Sequence, residues 1–155
     1  MKRFVGFAAT MLIMWTSGYA GNTYSDDPRF TDEKLKTIEA SLQDALESGN
    51  FGIQTSAAQV VRDVKSLVPR YEFSSLVIPL MRIVKDDRAE PAKRVLAALA
   101  LHELGSERGD YAIKRVGEFT DVKQLKHICM WLTYSRVWAE QHQRDSISNI
   151  ASRAR

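Results

Sequence analysis

The segment 91-PAKRVLAALALHELGSERG-109 decides the fold. From Val95 to Leu101 it reads Val-Leu-Ala-Ala-Leu-Ala-Leu, an apolar run with no polar gap. A surface helix shows one apolar stripe, so a helix that is apolar around most of its circumference must be covered by neighbours on most sides. Pro91 suits the first turn, where no backbone donor is needed, and Gly105 suits the C-terminal cap. A central helix is expected here, and the rest of the chain must supply its cover.

The cover is helical too. Thr31 is placed to cap a first helix, with Asp32 and Glu33 in the turn where the helix dipole favours acid. Leu35, Ile38, Leu42, Ala45 and Leu46 then recur at three- and four-residue steps, and Ser48 to Asn50 stops the run. A second helix is expected from about Gln54, through Ala57, Ala58, Val60, Val61, Val64 and Leu67, and Pro69 ends it. A third runs from about Phe73 to Val84, with Pro79 either kinking it or marking its true start. After the opening segment, Tyr111, Ile113 and Val116 give a short fifth helix. Thr120 or Asp121 caps a sixth, which continues through Leu125, Ile128, Cys129, Leu132 and Ala139 toward Ile150. No alternating strand pattern or hairpin turn interrupts this, so the expected class is all-α.

The helices repeat. Ala57, Ala58, Val61, Val64 and Ser66 fall on Ala97, Ala98, Leu101, Leu104 and Ser106 at a shift of 40. Leu42 and Leu46 fall on Leu80 and Val84 at a shift of 38, and Leu80, Ile83, Val95, Leu99 and Leu101 fall on Ile113, Val116, Ile128, Leu132 and Tyr134 at 33. Three helix pairs emerge. A pair that cannot bury its apolar surface alone gains a core by stacking on others. Val77 to Asp87, followed by Lys93 to Gly109, resembles the HEAT-like repeat unit: a helix ending in an acidic turn, then an arginine, an alanine pair, and a closing leucine and glycine. The first pair departs from it with Lys65 where Gly105 maps, and the third with Met130 and Trp131 in place of the alanine pair. The resemblance spans Lys34 to about Trp138. It implies a short right-handed α-solenoid of about three helix pairs with a long C-terminal helix, and a surface that holds other macromolecules.

Around this domain, 32–140, the sequence suggests three flanking parts. Lys2 and Arg3 precede an apolar run from Phe4 to Trp15, and Gly18 and Ala20 stand where a signal peptidase reads small residues. Cleavage is expected between Ala20 and Gly21, with a retained signal anchor as the other reading of the same run. Residues 21–31 read as a flexible lead-in and 141–155 as a polar, basic helical extension. Export implies a periplasmic or secreted protein with no integral span after cleavage. Losing Lys2 and Arg3 would bring the formal net charge of +3 down to +1. Nucleic-acid binding needs a concentrated basic stripe, whereas Arg144, Arg153 and Arg155 suit a helix C-terminus. Cys129, the only cysteine, lies among apolar neighbours and reads as a small buried hydrophobe.

The histidines and acidic residues form no catalytic pattern. His102, His127 and His142 are too far apart for a local metal site, and His102-Glu103 lacks the second histidine of a zinc-protease helix. Asp86, Asp87 and Glu90 lack calcium-loop spacing and read as helix-capping acid. No phosphate loop, nucleophile elbow or cofactor motif is present. On the sixth helix, Met130, Trp131, Tyr134 and Trp138 fall opposite Leu125, Ile128, Cys129 and Leu132. They are either a second core face, with Trp131 in the place of Ala98, or an anchor for a partner. The expected function is a non-catalytic scaffold for an envelope protein or a second copy, with Met130, Trp131, Tyr134, Trp138, His102 and Arg62 as candidate contacts. The alternative is lyase-like or assembly-factor work, since some HEAT-like relatives resemble bilin lyases. That work would require Arg62, Asp63, His102 and Glu103 to converge in a groove.

Overall fold

In the computed structural model, which describes residues 30–153 and side chains as far as Asp145, every regular element is helical. The signal segment and nearly all of the lead-in lie outside the described residues. Helix α1 (Asp32–Glu47) is capped as expected, the Thr31 hydroxyl accepting the Lys34 amide at 3.4 Å. Helix α2 (Phe51–Leu67) begins three residues earlier than the apolar pattern indicates, because Asn50 acts twice. It closes the turn after α1, and its Oδ1 accepts the Ile53 amide at 3.2 Å. Helix α3 (Val77–Lys85) follows a single 3-10 turn at Ser74–Leu76. Pro79 is its third residue, within the first turn where backbone donors have no helical partner, so it marks a start and causes no kink.

Helix α4 (Pro91–Leu104) is bounded as its sequence indicates, with Pro91 in first position and Gly105 left-handed at φ 67°. A side chain at that φ would be strained. Helix α5 (Glu107–Phe119) takes its cap from Ser106, which accepts the Gly109 amide at 3.1 Å. Helix α6 (Lys123–Arg153) is preceded by Thr120, whose hydroxyl accepts the Val122 amide at 3.3 Å.

The expected cover of the central helix is present: α4 packs against α2, α3, α5 and α6 together. Ala97, Ala98, Ala100 and Leu101 are completely buried. Neighbour contacts run in two rows, α1–α3–α5 and α2–α4–α6, and each odd helix also touches the even helix that follows it. The rows come close together at Gly117, where a Cβ would lie 3.1 Å from that of Cys129. Leu46, Leu76, Leu80, Leu101, Ile113, Leu125 and Leu132 fill the space between them. Full burial of one such side chain is worth about 1.5–3 kcal/mol.

Two polar side chains depart from their expected roles. Asp87 is not a helix cap. Its Oδ1 accepts Arg94 Nη2 at 2.8 Å, and Arg94 Nε donates to the carbonyl of Val84 at 2.9 Å. Arg94 is thus buried with both ends of its guanidinium engaged, tying the start of α4 to the end of α3. Asp86 does bond locally, accepting the Arg88 amide at 3.0 Å, while Glu90 occupies the cap position of α4 without a side-chain bond. Lys65 lies in the last turn of α2, ahead of a loop that runs to Ser74. Its Nζ donates to the carbonyls of Pro69 at 2.8 Å and Tyr71 at 2.9 Å, holding the loop against the helix.

Candidate functional site

Helix α6 has one face against the protein and one facing away. Leu125, Cys129 and Leu132 are buried against α4 and α5. On the other side Trp131 is 60% exposed, Tyr134 65% and Trp138 63%. Met130 is half-buried beside them. The expectation that Trp131 occupies the place of Ala98 is therefore corrected: Ala98 is completely buried and Trp131 is not. The physical reason is position in the row. Helix α4 is flanked by α2 on one side and α6 on the other, whereas α6 has α4 on one side and, among the described residues, no further helix beyond it.

Trp138 is held by its neighbour, the ring of His142 lying 3.8 Å away between centroids at 36°. His142 Nδ1 is also 3.0 Å from the Trp138 carbonyl oxygen. Exposed aromatics fixed in this way cost little entropy when a partner covers them, and Trp and Tyr dominate the residues that carry interface energy. Val137, 51% exposed, extends the apolar surface.

A second feature adjoins this face at Val137. A cleft of about 290 Å³ is lined by His102, Asp110, Tyr111, Thr133, Arg136 and Val137, among others. Arg136 Nε stands 3.3 Å from Asp110 Oδ2, and its Nη2 donates to the His102 carbonyl at the end of α4. The guanidinium therefore ties α4, α5 and α6 together while satisfying a terminal helix carbonyl. Burial lowers the pKa of His102, with Arg136 adding to the effect and Asp110 and Glu103 opposing it. Burial raises the pKa of Asp110, and Arg136 and His102 pull it back.

Of the predicted residues, the structure thus gathers Met130, Trp131, Tyr134 and Trp138 on one face and sets His102 apart in the cleft. Arg62 and Asp63, on α2, are not among the cleft's lining residues. Arg62 is half-buried, with Nε enclosed and without a hydrogen-bond partner. Sequence reasoning missed Asp110 and Arg136, which meet His102 from two other helices and share no local spacing with it. Cys129 is fully buried, and burial pushes its thiol up to about 11 against the opposing charge of Arg94. A thiol so placed is a poor nucleophile. Among the described residues, no helix is long and apolar enough to cross a membrane. Comparison of the chain with protein-family models, with curated proteins and with solved structures found no match.

Proposed function

We propose that the chain is an exported, non-catalytic HEAT-like repeat module that holds an envelope protein, or a second copy of itself, on the outward face of its last helix. One observation carries this reading: Trp131, Tyr134 and Trp138 stand on a single face of α6, each at least 60% exposed. An ordinary soluble surface scatters such residues singly, whereas docking surfaces cluster them. The two rows of neighbouring helices support a short right-handed solenoid of the pairs α1/α2, α3/α4 and α5/α6. The signal-like segment 1–20 supports a periplasmic or secreted location. In the lyase-like alternative the chemistry would sit in the cleft beside His102. Arg136 and Asp110 there are engaged in joining helices, which favours the aromatic face as the working surface.

Affinity capture from envelope extracts, with the chain starting at Gly21, tests the proposal. A protein retained by the wild type and lost with the Trp131→Ala/Trp138→Ala variant is the expected result. The same proteins retained by both would overturn it. Export is checked separately by N-terminal sequencing of protein recovered outside the cytoplasm, which should begin at Gly21.

A further inference from the structure

Resting on the reading of α6 as a docking face, we infer that its occupant is a second copy of this chain, whose α6 lies antiparallel to the first and crosses it at Tyr134. The face is arranged about that residue. Met130 and Val137 stand four and three residues away on either side, Trp131 and Trp138 three and four, and Lys123 and Asp145 eleven each. On a period of 3.6 residues, Met130 and Val137 lie to one side of Tyr134 and the two tryptophans to the other, with Lys123 and Asp145 close to the midline.

A twofold axis at Tyr134 sets each flank of the helix against the same flank of its copy, run in reverse. Trp131 then lies level with Trp138 of the second copy to within about one residue step of 1.5 Å, and Met130 lies equally close to Val137 of the second copy. Lys123 comes level with Asp145 of the second copy, about 16 Å from the centre. Both are exposed. A parallel pair would instead set lysine against lysine and aspartate against aspartate, so charge selects the antiparallel arrangement. At the rim, Arg144 approaches Lys126 of the second copy, but it already holds Glu140 at 4.0 Å.

The surface is of a suitable size. With about 150–250 Å² per aromatic side chain, the three exposed rings offer roughly 300–450 Å² per copy, about half of the ~800 Å² per partner in a standard interface. Val137, Met130 and the end charges extend the contact along about 33 Å of helix. His142 already stacks on Trp138, so one of the central rings is oriented before association.

Sedimentation velocity of the purified full chain over a concentration series is the test, with thermal melts confirming that each variant is folded. The wild type should dimerise. Lys123→Asp and Asp145→Lys each place like charges together at both ends and should each weaken the dimer about tenfold, while the combined K123D/D145K chain should recover it. Tyr134→Cys should oxidise to a disulfide-linked dimer. Trp131→Cys should not, because its copy lies about 9 Å further along the pair, beyond disulfide reach. A chain that stays monomeric at every concentration overturns the inference, as does a double swap no stronger than the single ones. A monomer that still retains another protein through Trp131 and Trp138 would overturn the second copy while leaving the docking face standing. A monomer whose tryptophans affect no association would remove both.

Discussion

Arg94 joins the end of α3 to the start of α4 through two guanidinium nitrogens. Its Nε bonds the Val84 carbonyl, its Nη2 bonds Asp87, and only 3% of its side chain is exposed, against 86% for Asp87. Arg94→Met keeps the length and removes the donors, leaving the Val84 carbonyl without its bond. An unsatisfied buried acceptor costs about 1–3 kcal/mol, and chemical denaturation should show a loss of that size. Arg94→Lys should recover only part of it, because an ammonium lacks the planar fork that reaches both acceptors. His102 gives a second prediction at the same scale. Burial first, and Arg136 second, lower its pKa, so as pH falls the unfolded state takes up its proton near the ordinary imidazole value of 6.5, before the folded state does. Its contribution is complete above that pH and is lost as pH falls through it. Asp110, with a raised pKa, acts in the opposite sense within the carboxylate range. Melting temperatures measured from about pH 7 to about pH 5 should therefore fall less steeply for His102→Gln than for the wild type. An equal slope would show that the ring is freely solvated.

Among elements, α6 has to satisfy two environments at once, which explains why its sequence permitted two readings. Periodicity gave both faces of the helix, the one carrying Leu125, Cys129 and Leu132 and the one carrying Met130, Trp131, Tyr134 and Trp138. It could not say whether a further helix covers the second, because cover is a property of the neighbours and not of the segment. Helix ends were more legible, since caps are local chemistry: Thr31, Pro91 and Gly105 each act within a few residues of themselves. The cleft was illegible for the reason that hides most sites built across a fold. His102, Asp110 and Arg136 come from three helices, and only packing brings them together. With Trp131 and Trp138 exposed at 60% and 63%, Trp131→Ala and Trp138→Ala should each lower stability by no more than about 0.5 kcal/mol, as surface substitutions do. Each should weaken association through this face by about 2 kcal/mol or more. Paired measurements of melting and association on the same variants check both halves.

For the whole molecule, the governing feature is that α4 sits in the middle of its own row and packs against two helices of the other. Its contacts with α2, α3, α5 and α6 make one helix the shared wall of most of the core. This was legible in 91-PAKRVLAALALHELGSERG-109 because an apolar run without a polar side has only one stable place, which is inside. The alanines are the part of that run with the sharpest consequence. Ala97, Ala98 and Ala100 have no exposed surface, and their small size sets how closely the neighbouring helices approach. Ala98→Trp adds a large ring where no space exists, and overpacking of this kind costs typically about 1–3 kcal/mol, sometimes more. In a chain of this size each ~1 kcal/mol lowers the melting temperature by roughly 2–4 °C. A fall of about 2–12 °C, or failure to fold, is expected. Ala92→Trp on the same helix is the control, since Ala92 is exposed in the first turn of α4 and its replacement meets solvent. Melting curves for the two variants, side by side with the wild type, separate a general intolerance of tryptophan in this helix from the central position of α4. Equal and small shifts would mean that α4 is not the wall its burial describes.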